Sequence, residues 1–140
     1  MEGLTINEMI NTYCKNDFEI GLDEYISKEY SYEESMQLNK GIANLVYEIC
    51  EHRKGKKKVI SKLENNLQII ELLLSGPQLE KETLDLLNER YSSGAKAEHE
   101  PSKNGSRIAA YFLSKLNGTV SIENCNEGDY TVKNIVKLPV

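Results

Sequence analysis

Tryptophan is absent from the chain, phenylalanine and histidine occur twice each, and cysteine and proline three times each in 140 residues. Cys14, Cys50 and Cys125 are odd in number, far apart and without a Cys-x-x-Cys pair. A disulfide framework or a zinc site needs more sulfur, or histidine at ligand spacing, so three reduced thiols and no metal are expected. No apolar run approaches the roughly 20 residues that span a bilayer. The N-terminal "MEGLTINEM" is acidic, where a secretory signal is basic and then apolar. A cytoplasmic protein without membrane contact is expected. Cationic excess is lacking too: 17 Lys and Arg face 22 Asp and Glu, a formal net charge of -5. Nucleic acid needs the opposite sign and is not expected as a general partner. Missing as well are a nucleophile elbow, a P-loop, a Gly-x-Gly-x-x-Gly turn and paired acid–base carboxylates in a supporting context. No catalytic residue is assigned.

What is present is ordinary for a globular chain: 39% hydrophobic and 28% charged residues, enough for one cored domain over residues 1–140 and short for two. "INEMINTYC" has Ile6, Met9, Ile10 and Tyr13 at helical spacing. "DFEIGLDEYI" alternates at Phe18, Ile20 and Leu22 and predicts a strand. "SYEE" is a Ser-x-x-Glu capping box, Ser31 to Glu34, opening a helix with Leu38, Ile42, Leu45 and Ile49 on one stripe to about Glu51. The basic turn "HRKGKKK" reverses at Gly55. Strands "KVISKL" and "LQIIELLLS" follow, joined by a turn at Glu64 to Asn66; the second is apolar on both faces, as in the middle of a covered sheet. After "SGP", "QLEKETLDLLNERY" predicts an amphipathic helix, Ser92 to Gly105 a mobile loop, and "SRIAAYFLSKL" a helix stopped by Asn117-Gly118. Strands "TVSIEN" and "YTVKNIVKLPV" flank a turn at Asn126 to Asp129. Neither a repeat nor a low-complexity segment interrupts the series. The expected fold is α+β: a two-layer α/β sandwich, one mixed sheet of about five strands with about three longer helices on a single face. The C-terminal hairpin alternates cleanly and so keeps one wet side.

In this order three stretches resemble the boxes of a known ATP-binding domain. "NLVYEICEH" (Asn44 to His52) is similar to the N-L-x-x-N-A-x-x-H/K box, "LSGPQL" (Leu74 to Leu79) to D-N-G-P-G-I, and "NGSRIAAYFLSKLNGTVSIEN" to the Gly-rich lid end, its helix and the G-G-T-I-x-V-E strand entry. The resemblance, from about Leu38 to Leu138, is to the domain shared by sensor histidine kinases, gyrase-like topoisomerases and a class of heat-shock chaperones (the GHKL or Bergerat fold). It implies a nucleotide pocket at Asn44, Glu48, Leu74, Gly76, Gln78, Lys103 and Gly105. The departures imply that this pocket is vestigial. Glu48 stands where the family holds magnesium with an asparagine, and a carboxylate there adds negative charge beside a triphosphate. Leu74 replaces the aspartate that accepts from the adenine amine, and an unpartnered buried amine costs about 1–3 kcal/mol. Gln78 replaces a glycine under the base, and Lys103 one of two lid glycines, leaving Gly105 alone to cradle phosphate. No cofactor is expected.

A narrower resemblance, by pattern, is to the degenerate C-terminal domains of dimeric histidine phosphotransferases of cell-cycle and sporulation phosphorelays. It implies a response-regulator receiver domain as partner and a homodimer built through a helical hairpin that carries the phosphorylated histidine, a feature this chain lacks. His52 and His99 read as solvated surface histidines. Arg53, Lys54, Lys56 and Lys57 offer a contact for an acidic partner, against the plainer reading of a solvated turn. The polar stripe Asn44, Glu48 and Glu51 faces either the old pocket or water. Glu98 and Glu100 around His99 form an acidic loop. The expected function is a non-catalytic docking module of a phosphorelay. Two alternatives stay open: a working kinase domain with Glu48 as metal ligand and water in place of the aspartate, and an unrelated α+β interaction domain.

Overall fold

A computed structural model describes residues 6–22 and 29–140. Helix α1 spans Ile6–Cys14, strand β1 Glu19–Leu22, α2 Tyr32–His52, β2 Lys57–Glu64 and β3 Leu67–Ser75. Helix α3 spans Lys81–Ala95, α4 Gly105–Ser114, β4 Thr119–Glu127 and β5 Tyr130–Pro139. The five strands form one sheet in the order β1-β2-β3-β5-β4. β1 runs parallel to β2, and the other pairs are antiparallel. The mixed sheet and one-sided helices are as expected; of the strand expected over Asp17 to Ile26, Asp23 to Ile26 lie outside the described residues.

Local chemistry explains most of these bounds. The capping box closes in both directions: Glu34 N–H donates to Ser31 Oγ at 3.2 Å, and Ser31 N–H to Glu34 Oε1 at 3.1 Å, satisfying two donors a helix start leaves open. Asn65 and Asn66 both have positive φ, 52° and 62°. This two-residue turn follows the right-handed twist of the strands it joins and sets the β2–β3 register. α4 ends where Gly118 N–H reaches back to Leu113 O at 2.9 Å over Asn117 at φ 59°, a left-handed closure that satisfies a free carbonyl.

The core lies between sheet and helices. Val59, Ile70, Leu72, Val132, Val136 and Leu138 point from the strands toward Leu38, Ile42 and Leu45 of α2 and Ala109 and Leu113 of α4. On the opposite face Ile69 and Leu73 are also buried, without a helical layer. Their cross-strand neighbours are Lys62 and Lys137, and Lys58 and Lys133, and the aliphatic stems of lysines shield apolar neighbours. The two apolar faces of β3 therefore do not signal a sheet covered on both sides. Lys133 donates to Glu71 at 3.1 Å and pairs with Glu127 at 3.0 Å. Partial burial opposes the Lys133 charge, but these two carboxylates outweigh it and raise its pKa. Lys133 in turn holds Glu127 below the usual carboxylate range.

Helix α3 departs from expectation at both ends. α3 begins at Lys81 rather than Gln78, and it continues through Ser92, Ser93 and Gly94 to Ala95, where a mobile loop was expected. Gly94 is a packing residue: a Cβ there would lie 2.3 Å from the Arg107 carbonyl oxygen. α3 and α4 approach that closely only because position 94 has no side chain.

Candidate functional site

Where α2 packs on α4, two of the expected pocket residues meet. Glu48 sits on α2 facing the first turn of α4. Its Oε1 accepts from Gly105 N–H at 3.1 Å, and its other oxygen lies 3.2 Å from His52 Nε2. Asn104 caps the same helix, its Oδ1 accepting from Ser106 and Arg107 N–H at 3.1 and 3.3 Å. The amides and dipole of a helix start attract an anion. Here an internal carboxylate takes that position. Gly105 admits it, because a Cβ would fall 2.2 Å from Glu48 Cγ.

Leu74 is 3% exposed and lies in the core-facing row of β3. It borders a cavity of about 280 Å³ between sheet, α2 and α3. Val132, Ile122 and Asn134 contribute from the neighbouring strands, Ile49 from α2, and Leu79, Leu87 and Tyr91 from α3 and its approach. The Asn134 amide donates to the Tyr91 hydroxyl at 2.8 Å, and burial pushes the Tyr91 hydroxyl pKa up. His52, Arg53, Thr83 and Arg90 complete the lining, so it contains no carboxylate.

The Ser-Gly-Pro turn is held from inside. Arg53 Nε donates to Ser75 O at 2.9 Å and Nη2 to Pro77 O, while the Thr131 hydroxyl donates to Gly76 O. Gly76 has φ 107° and lies over the guanidinium, a conformation that favours glycine. Partial burial lowers the Arg53 pKa. Leu79 N–H donates to Asn124 Oδ1, and Asn124 Nδ2 to Leu79 O, at 2.9 and 2.8 Å. Asn88 makes the same pair of bonds with Ile122. Asn88 thus satisfies backbone groups on the free edge of β4, and Asn124 ties that strand to the approach to α3.

Of the expected pocket residues, Glu48 and Gly105 touch, and Leu74 reaches the cavity. Asn44 donates to Lys40 O on its own helix at 2.7 Å, Gln78 is exposed with its amide 3.3 Å from Cys125 O, and Lys103 is exposed before α4. Glu51 accepts from Tyr47. The four basic residues do not form one patch. Arg53 turns inward, Lys54 donates to Cys50 O, Lys56 pairs with Asp129 at 3.2 Å, and Lys57 faces Gly55 O. Around Lys56 to Lys58 an open groove of about 690 Å³ also carries Asp17, Glu19, Glu127 and Asp129, which balance the lysines. Tyr91, Asn134 and Arg90 carry no motif; a polar Asn134 amid alternating apolar residues of the last strand is the one signal that could have marked them.

No protein-family model matches the chain, and no curated protein matches it. Solved structures do. The catalytic domain of histidine kinase ThkA, in a nucleotide-free form, aligns with 99% of this chain and 95% of its own at a TM-score of 0.71 and 18% identity. The mycobacterial sensor histidine kinase MprB aligns over 99% and 96%, with TM-score 0.67 and 15% identity. The histidine kinase domain of the E. coli osmosensor EnvZ aligns over 96% and 83%, with TM-score 0.62 and 19% identity. The fold is that of histidine kinase catalytic domains. Among the described residues no helix is long and apolar enough to cross a membrane.

Proposed function

We propose that the chain is a histidine-kinase-like domain that does not bind ATP and that docks response-regulator receiver domains in a phosphorelay. The observation that carries this reading is the Glu48 carboxylate on the first amide of α4. A triphosphate brought to that helix start meets a fixed negative charge where it needs donors, and evicting Glu48 forfeits a bond to a helix terminus. At the base end, Leu74 offers no acceptor to an adenine amine, and no carboxylate lines the cavity to replace it. The residues present do not fit magnesium-ATP.

With no nucleotide to hydrolyse, the domain contributes surface rather than chemistry. The phosphorylatable histidine is supplied from outside it, through a helical hairpin that also makes the dimer. His52 is exposed and paired with Glu48, and His99 is exposed in the loop after α3; neither lies on a helical hairpin where a receiver could reach it. Titration with a fluorescent ATP analogue and magnesium tests the first half: no saturable binding up to millimolar concentrations is expected, and micromolar binding overturns it in favour of a divergent kinase using Glu48 as metal ligand. Receiver domains of the same cell, titrated into isotope-labelled protein, test the second half. Localised shifts with at least one receiver are expected; silence with all of them removes the docking role.

A further inference from the structure

The cavity beside Leu74 has the make-up of a binding site for a different ligand class. Its buried surfaces come from Leu74, Val132 and Ile122 on the sheet and Ile49 on α2. Its lining carries two guanidinium groups, Arg53 and Arg90, with His52 and Tyr91 beside them and no carboxylate, in a chain of net charge -5. Arg53 is already committed to the Ser-Gly-Pro turn, and His52 to Glu48. Arg90 has no ion pair among the described residues, the adjacent Glu89 pairing instead with Arg107. A cavity with apolar walls and a guanidinium, that of Arg90, not already engaged by the turn selects by both terms at once. Apolar contact favours a compact ring or branched chain, and the planar fork of arginine favours a carboxylate.

We infer that this cavity binds a small aromatic or branched-chain carboxylic acid, its apolar body against Leu74, Ile122 and Val132 and its carboxylate toward Arg90. The inference rests on the reading above that the pocket no longer takes nucleotide. The volume of about 280 Å³ suits a body of one or two rings and leaves no room for a triphosphate tail, whose helix terminus Glu48 already occupies.

The test uses 1-naphthoate and its neutral counterpart 1-naphthalenemethanol, titrated into the isotope-labelled chain and followed by amide chemical shifts, with magnesium and the ATP analogue in a parallel arm. Naphthoate is expected to shift amides around Leu74, Ile122 and Arg90, and to bind about tenfold more tightly than the alcohol. Arg90→Gln, at a half-exposed position where folding is not at stake, should erase that preference and leave the alcohol unchanged. Thr83→Trp, at an exposed position on the rim, should block both probes. Naphthoate that shifts nothing, shifts only residues elsewhere, or binds Arg90→Gln as well as the parent overturns the acid site. If the ATP analogue is also silent, the non-nucleotide reading survives that failure. Tight binding of the analogue, displaced by naphthoate, overturns the non-nucleotide reading instead.

Discussion

Replacing Glu48 measures what holds the start of α4. One bond from a helix-terminal N–H to a capping oxygen is worth about 1 kcal/mol. The attraction of a carboxylate to the helix dipole adds about 0.5 kcal/mol, little screened because the side chain is only 25% exposed. Glu48→Ala should therefore lose about 1.5 kcal/mol, less the few tenths that alanine's helix propensity returns in α2. Glu48→Gln keeps an acceptor and loses the charge, and should cost about 0.5 kcal/mol. Gly105→Ala puts a methyl 2.2 Å from Glu48 Cγ and evicts the side chain, so it should cost about as much as Glu48→Ala. With Glu48 already alanine, the same methyl meets no carboxylate and gains about 0.5 kcal/mol of helix propensity. The double variant should then be more stable than either single one, a coupling of about 2 kcal/mol. Urea unfolding followed by far-ultraviolet circular dichroism reads this directly, the chain having no tryptophan for fluorescence. Costs that simply add, or a Glu48→Ala protein as stable as the parent, would refute the carboxylate as the occupant of the anion seat.

Gly94→Ala should destabilise by about 3 kcal/mol or more, since its methyl meets backbone atoms of Arg107 that no rotamer change can move; a thermal midpoint lowered by about 10 °C checks it. Arg53→Met keeps the aliphatic stem and removes the donors at Ser75 O and Pro77 O. A loss of about 2 kcal/mol is expected, with faster hydrogen exchange confined to the 75–79 turn. Lys133→Met should cost about 2 kcal/mol at neutral pH, leaving Glu71 with Lys62 alone at 3.7 Å. Because Lys133 depresses the Glu127 pKa, the Glu127 share of that stabilisation is present above the ordinary carboxylate range and fades as the pH falls through the depressed value. Because the Lys133 pKa is raised, the same network persists below the ordinary lysine range and is lost as the pH climbs through the raised value. Unfolding curves of parent and variant should therefore converge at both extremes.

Periodicity and caps were legible because they act over a few residues. Ser31 and Glu34 meet within one turn, Asn65-Asn66 closes on itself, and Asn117-Gly118 stops α4 by a bond five residues back. The end of α3 was not legible, because "SSGA" has loop composition, while in the fold it lies in a helix packed so closely on α4 that position 94 has no room for a side chain. Of the pocket residues, Glu48 and Gly105 meet in space, while Leu74 lines a cavity that neither of them borders. Asn44, Gln78 and Lys103 share the motifs and join neither of these, since helix phase turns Asn44 back to Lys40 and Gln78 and Lys103 are exposed. Arg53 looked like one of four surface cations, yet the neighbouring turn draws it inward.

By itself the order of residues determined the strand and helix series, the capped α2 and the loss of an acceptor at position 74, all properties of side chains and their immediate neighbours. Only the folded chain decided that Glu48 lands on the amide of Gly105, 57 residues away, and that the cavity beyond it collects arginines and a histidine but no carboxylate. Those pairings depend on how closely α2, α3 and α4 approach over one sheet. That approach is set by glycines whose value lies in the atoms they lack.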